Sequence, residues 1–244
     1  MLLPRFFLIA LAALQPLPAF AQRNDLAPLT KPTVIRWWHG AAFLGGLSAL
    51  MLLDRPTQRY VQGHRSPSAN EFSGVIRRFG QIEVYGSVTA GILAVGLVSG
   101  NDELSRAGGR VAATLALAGS TSSLSKLVSG RPRPNESLDA DGYVPFSGQD
   151  AMPSGHTTMA FALATTLSDE IDRTWASVGL YTLATGVGWS RINDDRHWLT
   201  DVAAGAVLGI TSARLVSGRW RIFGLRPPSF LIGPNPGVAW TLAF

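Results

Sequence analysis

Residues 151–167 read AMPSGHTTMAFALATTL, a short polar turn followed at once by a run of small and apolar residues. Pro153 and Gly155 are turn residues and Ser154 is a preferred N-cap, so the stretch predicts the start of a helix. That interpretation leaves His156 unexplained, because a helix start requires no imidazole. A motif this short often occurs by chance, and the rest of the chain has to decide its meaning.

The composition favours closely packed helices. Of the 244 residues, 46% are hydrophobic and 15% are charged, against a usual charged share of about 25%. Glycine occurs 26 times, and small residues let helices approach closely in membrane bundles. The absence of cysteine excludes disulfides and thiolate sites. The net charge of +5, without a basic run interleaved with aromatics, favours anionic lipids or phosphorylated substrates over nucleic acid.

The first 21 residues have the pattern of a secretory signal peptide. An arginine precedes an apolar run over residues 6–14, and residues 19–21 (Ala-Phe-Ala) form a small-x-small cleavage site. The run is short for a membrane span, which needs about 20 apolar residues. We therefore predict a signal peptide over 1–21, secretion to the bacterial cell envelope and a polar linker over 22–36.

Six apolar, small-residue-rich stretches are each long enough for a helix. The sequence therefore predicts an all-α fold, a six-helix bundle over 37–218. A polar, basic segment separates the first two helices, and a long loop rich in proline and glycine separates the third from the fourth. The tail over 219–244 has turn residues and an alternating end typical of a short β-hairpin. The predicted helices cover 37–53, 82–100, 104–128, 155–171, 174–190 and 198–216.

Polar residues gather at the helix ends that meet at one face of an up-and-down bundle. These are the end of the third helix, the start of the fourth, the end of the fifth and the start of the sixth. Taken singly they have ordinary explanations, such as a snorkelling lysine or a His–Asp pair on a helix surface. Their convergence from four regions instead favours a functional site. The residues are Lys126, Arg131, Arg133, Ser154, Gly155, His156, Arg191, His197 and Asp201.

These residue types fit phosphate chemistry. Arginine presents a planar fork of donors to phosphate oxygens, lysine adds a point charge, and a helix N-terminus adds free N–H groups. His197 and Asp201 share one helix face, so the carboxylate can accept the Nδ1 proton and leave Nε2 as a nucleophile. His156 can protonate a leaving oxygen and then deprotonate water. We expect this chemistry to need neither a metal nor another cofactor.

Three motifs in this set resemble the signature of the type 2 phosphatidic acid phosphatase and haloperoxidase superfamily. The first is Lys, six residues, then Arg-Pro, matched by KLVSGRPRP at 126–134. The second is Pro-Ser-Gly-His, at 153–156. The third is Ser-Arg, five residues, His, three residues, Asp, matched by SRINDDRHWLTD at 190–201. All three motifs are intact and in order.

The resemblance implies the family's helical bundle and a metal-independent phosphomonoester or pyrophosphate hydrolase that works through a phosphohistidine. It implies that His197 is the nucleophile, that Asp201 orients it and that His156 is the general acid. It gives Arg131 no fixed role. The residues that it assigns to phosphate binding are Lys126, Arg133, Ser154, Gly155 and Arg191.

The resemblance leaves several functions open. The favoured substrate is a lipid phosphate: phosphatidic acid, phosphatidylglycerol phosphate, a polyprenyl diphosphate or lipid A. The alternative is a non-specific periplasmic acid phosphatase. A vanadium-dependent haloperoxidase would use the same cradle but is typically much larger, and a non-catalytic lipid-binding membrane protein would not need two poised histidines.

The expected location is either the membrane, with the site facing the periplasm, or the periplasm itself. If the helices span a membrane, the basic segment 55–78 is predicted to be cytoplasmic. Several other polar residues are interpreted as non-catalytic. His39 and His64 lie outside the convergent set, residues 194–196 are predicted to be solvated loop charges, and the aspartates of the long loop match no cation-binding pattern.

Overall fold

The computed structural model describes residues 32–223 and the backbone of residues 229–231 and 237–239. The predicted signal peptide therefore lies outside the described residues. Within them the chain forms eight α-helices, one 3₁₀ turn and four short strands. The helices are α1 Trp37–Met51, α2 Asp54–Gly63, α3 Pro67–Ile76, α4 Ile82–Ser99, α5 Asp102–Ser129, α6 Gly155–Ile171, α7 Thr174–Asn193 and α8 Leu199–Val216, and the 3₁₀ turn is Arg77–Gly80.

The predicted all-α fold is confirmed, and the six predicted helices correspond to α1 and α4–α8. Helices α2 and α3 were not predicted, because they form within the polar segment between the first two apolar stretches. Helix α3 starts where the Ser66 hydroxyl accepts a hydrogen bond from the Ala69 N–H at 3.1 Å, with Pro67 in the first helical position. A capping serine and a proline, rather than a long apolar period, mark the start of α3.

A tight turn makes α4 and α5 antiparallel. Gly100 ends α4 with a φ of +65°, a left-handed conformation that glycine adopts without steric cost. Asn101 follows as the N-cap of α5, and its side-chain oxygen accepts from the Leu104 N–H at 3.0 Å. The short connection forces the two helices to pack side by side.

Helix α6 lies at the centre of the bundle and packs against α5, α7 and α8. Apart from Leu163, its buried face consists of alanine, threonine and serine side chains, which allow neighbouring backbones to come close. The contact with α8 is tight: a Cβ atom at Gly205 would lie 2.7 Å from the Ser154 carbonyl oxygen. The starts of α6 and α8 are thereby held together.

The alternating directions of the long helices bring residues 126, 153–156 and 190–201 to one end of the bundle, which we call the motif end. Helices α5 and α7 end there, and α4, α6 and α8 begin there. Helix α2 also lies at this end, since the Asp54 carboxylate accepts from the Thr200 N–H at 2.9 Å. The long loop 130–154 covers the same end.

The strands form two small pairs. Strands β1 (Thr33–Ile35) and β2 (Trp220–Ile222) are parallel, and β3 (Ser229–Leu231) and β4 (Gly237–Ala239) are antiparallel. The second pair confirms the predicted C-terminal hairpin. The first pair was not predicted, because three-residue strands are too short to show alternation.

Three helices are long and apolar enough to cross a membrane: Ile82–Ser99, Asp102–Ser129 and Leu199–Val216. Apolar side chains on the outside of the bundle are exposed, and Val98 of α4 is 91% exposed. Side chains of this kind are stable against lipid, where water would disfavour them. The length and hydropathy of these helices indicate that the chain is membrane-associated.

Candidate active site

A cavity of about 600 Å³ opens at the motif end of the bundle. Residues 80–85, from the 3₁₀ turn and the start of α4, form one wall. Helices α5 and α6 and the loops before α6 and α8 form the rest. Ser154, Arg191 and Asp201 lie behind the wall and are buried. The predicted site residues that line the cavity are Lys126, Arg133, Gly155, His156 and His197.

The imidazole of His197 is held by a backbone carbonyl. Its Nδ1 atom lies 2.8 Å from the Ala151 carbonyl oxygen and 3.7 Å from Asp201 Oδ2. The first distance is a hydrogen bond, and the second is too long for one. A carbonyl only accepts, so Nδ1 carries the proton and Nε2 keeps its lone pair. His197 therefore has the tautomer that a nucleophile requires, with Asp201 nearby as a negative charge.

Asp201 connects the third motif to the second. Its Oδ2 accepts from the Trp198 N–H at 2.8 Å, and its backbone carbonyl accepts from the Ser154 N–H at 2.9 Å. The carboxylate is completely buried, and its Oδ1 accepts from Arg131 Nη1 at 2.6 Å. A buried carboxylate with these donors stays in one orientation.

Arg131 does not belong to the cations of the cavity. The sequence analysis grouped it with them, but the structure buries it completely behind His197, so that grouping is corrected. Its guanidinium contacts Asp201 and Asp54, each at 2.6 Å, and the Thr200 hydroxyl at 2.7 Å. Two carboxylates compensate the charge in the interior, where solvent cannot.

His156 lies in the first turn of α6 and faces the cavity. The 3₁₀ turn packs closely on it: a Cβ atom at Gly80 would lie 2.7 Å from the His156 carbonyl oxygen. Burial, together with the positive charges of Arg191 and other nearby cations, lowers the pKa of His156 to about 4. A bound oxyanion would offset these cations, so we expect it to raise the pKa of His156.

Arg133 and Lys126 both contact Asp150 of the long loop. Arg133 donates from Nε and Nη2 to the two carboxylate oxygens at 2.8 and 2.9 Å. Lys126 Nζ lies 3.7 Å from Asp150 Oδ2 and also donates to the Asp150 backbone carbonyl. Burial raises the pKa of Asp150, but the two cations hold it below its usual value. The carboxylate thus occupies the donors that an oxyanion would use.

Arg191 is held from behind by Asp194. Its Nη1 lies 3.1 Å from Asp194 Oδ2, and the same carboxylate accepts from the Ser73 hydroxyl at 2.7 Å. Its Nε is buried and has no hydrogen-bond partner within the described part of the chain. An orphaned guanidinium donor fits an anion site. The carboxylate of Asp194 is only 15% exposed, so its interpretation as a solvated charge was wrong.

The start of α6 supplies backbone donors. Gly155 is the first residue of α6, and the first N–H groups of a helix have no intrahelical acceptor. The Ser154 side chain makes no capping bond; its hydroxyl accepts from Thr157 at 3.0 Å. The N–H groups and the positive end of the helix dipole favour an oxyanion here. No three histidine or acidic side chains of residues 32–223 are clustered to hold a metal.

The Asp150→Asn variant is expected to bind inorganic phosphate about tenfold more tightly, because it removes a charged competitor for Arg133 and Lys126. Calorimetric titration of the full-length protein with phosphate measures this. Asp141→Asn is the matched control, since its carboxylate lies 3.5 Å from Arg55 and not from the cavity cations. Weaker binding in Asp150→Asn would instead mean that Asp150 positions Arg133 for the anion.

The residues that fix the predicted site residues in place were not identified from the sequence. These contacts join distant parts of the chain, such as Asp54 with Thr200 and Ser73 with Asp194. No local spacing connects residues more than one hundred positions apart. The only available signal was the unusual number of polar residues in the segment between the first two apolar stretches.

The chain is similar to known phosphatases. It is 40% identical over 108 residues to the lipid A 1-phosphatase of Porphyromonas gingivalis. The match covers 43% of this chain and 22% of that protein, so the chain spans about a fifth of the length of this relative.

Two crystal structures share the fold. LpxE of Aquifex aeolicus superposes with a TM-score of 0.53 and 22% identity, covering 68% of this chain and 94% of that one. The first transmembrane PAP2 type phosphatidylglycerolphosphate phosphatase from Bacillus subtilis superposes with a TM-score of 0.52 and 20% identity, covering 73% and 92%. At these identities the likeness concerns the helical architecture.

The sequence profile of the PAP2 superfamily matches residues 107–221. This range contains all three motifs, both cavity histidines, Asp201 and the five predicted phosphate-binding residues. Motifs, cavity and fold agree with this match, and residues 107–221, slightly under half of the chain, are therefore similar to the PAP2 superfamily.

Proposed function

We propose that the protein is a phosphatase that hydrolyses the phosphomonoester or pyrophosphate of a lipid through a phosphohistidine. The observation that carries this proposal is the single cavity shared by His197 and His156 with Lys126 and Arg133. A binding protein would need the cations but not two histidines with different environments. One imidazole is oriented by a carbonyl, and the other stands at a helix N-terminus among cations.

In the first step, Nε2 of His197 attacks phosphorus and the bond between phosphorus and the leaving oxygen breaks. Protonated His156 gives its proton to that oxygen, and the alcohol leaves. The negative charge on the phosphoryl oxygens is held by Lys126, Arg133, Arg191 and the N–H groups at the start of α6.

In the second step, water attacks the phosphohistidine and the bond between nitrogen and phosphorus breaks. His156, now neutral, accepts the proton of the water, and inorganic phosphate is released. His197 returns to its neutral form with the proton on Nδ1. The histidine pair therefore completes one cycle without a net change in protonation.

The surroundings of the cavity support a lipid substrate. A second, apolar groove of about 750 Å³ runs between α1, α5 and α8. Its wall includes Met152 and Pro153, which directly precede the phosphate-binding residue Ser154. Apolar surface so close to a cationic cavity fits a molecule with a phosphorylated head and acyl chains. Among lipid phosphates we propose the phosphate of a lipid A-type glycolipid, on the basis of the 40% identical relative.

Phosphate release by the detergent-solubilised full-length protein tests this function. The substrates are lipid A, phosphatidic acid, phosphatidylglycerol phosphate, a polyprenyl diphosphate and soluble p-nitrophenyl phosphate, each assayed with EDTA present. We expect preferential turnover of lipid substrates, lipid A first, that EDTA does not reduce. Equal rates on the soluble ester would indicate a non-specific acid phosphatase, and no release from any substrate would refute the proposal.

We also propose that the cavity faces the periplasm. Helices α1 and α4 precede α5, which ends beside Lys126, so if all six long helices cross the membrane, residue 32 lies on the side opposite the cavity. A periplasmic cavity then requires that residues 1–21 be retained instead of cleaved. The basic segment 55–78 lies at the motif end with the cavity, where Arg55 pairs with Asp139 at 3.0 Å. Such pairing weakens the charge signal that favours a cytoplasmic location.

A further inference from the structure

We propose that Arg131 and Asp54 are positioning residues that hold His197 through Asp201 and balance the charge around it. The proposal rests on the proposed function, in which His197 is the nucleophile. Neither residue lines the cavity, so neither touches the substrate. Asp54 lies outside residues 107–221, the range that matches the family profile.

The first connection runs through side chains. Asp54 Oδ2 accepts from Arg131 Nη2 at 2.6 Å, and Arg131 Nη1 donates to Asp201 Oδ1, also at 2.6 Å. The other oxygen of Asp201 accepts from the N–H of Trp198, the residue that follows His197. The charged chain Asp54–Arg131–Asp201 therefore ends on the backbone that carries the nucleophile.

The second connection runs through the backbone of Arg131. Its carbonyl accepts from the Ala151 N–H at 3.0 Å, and the Ala151 carbonyl accepts from His197 Nδ1 at 2.8 Å. A displacement of Arg131 would therefore move both the acceptor that fixes the imidazole and the carboxylate beside it.

The guanidinium of Arg131 has little freedom to move. It contacts the rings of Tyr143 and Trp198, with its Cζ 5.2 and 5.5 Å from the ring centroids. It also donates to the Ala140 carbonyl at 2.9 and 2.7 Å and to the Thr200 hydroxyl. A fully buried arginine with all these partners is fixed in one orientation.

The charges of Asp54, Arg131 and Asp201 suit His197, whose imidazole becomes positive when Nε2 is phosphorylated and Nδ1 keeps its proton. Asp54, Arg131 and Asp201 together carry a net charge of −1, with Arg131 between the two carboxylates. Burial lowers the pKa of His197, and the negative charge of Asp201 opposes that change. The other charged or titratable groups around His197 are Lys126 on α5, His156 on α6, Arg191 on α7 and Asp150 in the loop.

Opposite changes of charge should therefore shift the pKa of His197 in opposite directions. Asp54→Asn removes a negative charge and should disfavour the imidazolium, whereas Arg131→Met removes a positive charge and should favour it. We expect the pKa of His197 to fall in the first variant and to rise by about one pH unit in the second. A purely structural role would not produce shifts of opposite sign.

The test is NMR of the ¹⁵N-histidine-labelled full-length protein in detergent micelles, titrated with acid and base. The chain has four histidines, so four ring signals are expected, and His197→Ala identifies that of His197. The nitrogen shifts also report the tautomer, which should be Nδ1-protonated in the wild type and mixed in Arg131→Met. Failure of the pKa to move, or movement in the same direction in both variants, would overturn the proposal.

Kinetics provide the second readout. Asp54→Asn and Arg131→Met should lower kcat about 10- to 100-fold with KM changed less than twofold, since supporting residues of this kind act on orientation. Asp139→Asn, at the exposed pair with Arg55, is the matched control and should leave both constants unchanged. A raised KM with unchanged kcat would assign Arg131 to phosphate binding instead and overturn the proposal.

Further variants distinguish a loss of positioning from misfolding and from failure of the proposed function. If Arg131→Met does not fold, Asp54→Asn and Arg131→Lys test the same point, because one is isosteric and the other keeps the charge without the fork. Unchanged signals of the remaining histidines show that a variant is folded. If the wild type releases no phosphate, the proposed function fails, and the NMR titration still decides whether Arg131 and Asp54 act on His197.

Discussion

His197→Ala is expected to lower phosphate release by at least about 10⁴-fold, because it removes the proposed nucleophile of the covalent intermediate. His156 stands at the cavity wall as well, but its surroundings suit proton transfer. The variant should still bind inorganic phosphate, since Lys126, Arg133 and the start of α6 are unchanged. Turnover near that of the wild type would refute the phosphohistidine mechanism.

Trapping of the intermediate makes this result specific. Wild-type protein quenched during turnover of a ³²P-labelled lipid should carry an acid-labile, base-stable phosphoryl group, and His197→Ala should carry none. His64→Ala is the control histidine, because His64 lines neither the cavity nor the apolar groove and its ring stacks on Tyr60. Labelling of His197→Ala would place the nucleophile elsewhere.

His156→Ala is expected to lower kcat by about 10²- to 10⁴-fold on a lipid phosphate, whose alkoxide leaving group needs a proton. With p-nitrophenyl phosphate the leaving group needs little help, so the first step should remain fast. The second step still lacks its base. The variant should therefore show a burst of p-nitrophenol followed by a slow steady rate, measured by stopped-flow absorbance. A variant slowed equally on both esters, without a burst, would argue against the general-acid role.

The pH dependence of wild-type activity also tests the general-acid role of His156. His156 must be protonated to act as an acid, and burial and nearby cations lower the pKa of His156 to about 4 in the empty cavity. The profile of kcat/KM, which reports the free enzyme, should therefore fall as pH rises through a low value. The phosphate of the substrate offsets the cations, so the fall of kcat should occur at higher pH. Coincident profiles would mean that the bound phosphate does not affect His156.

Much of the site was predictable because its chemistry is carried by side-chain type and short spacing. The interval of four residues between His197 and Asp201 places them on one face whatever the fold, and PSGH places His156 at a helix start. The apolar stretches gave the six long helices for the same local reason. Of the eight residues to which the family resemblance assigns a role, five line one cavity.

The short helices and the supporting contacts were not predictable in this way. Helices α2 and α3 are only ten residues each, too short for a clear helical period, and Asp54 acquires its role only by contact with Arg131 and Thr200, far along the chain. In RPRP, two arginines of equal charge are separated by one proline. The sequence does not distinguish the one that faces the cavity, Arg133, from the one buried behind His197, Arg131.

The three motifs, the six long helices and the chemical types of the site residues can be read from the sequence, because these depend on side-chain identity and helical period. Tertiary contacts were needed to show that the Ala151 carbonyl holds His197, that Asp150 occupies hydrogen-bond donors of the cavity cations and that Arg131 points inward. A backbone carbonyl has no residue identity for a motif to record. The direction of a side chain in a loop depends on which distant partner compensates its charge.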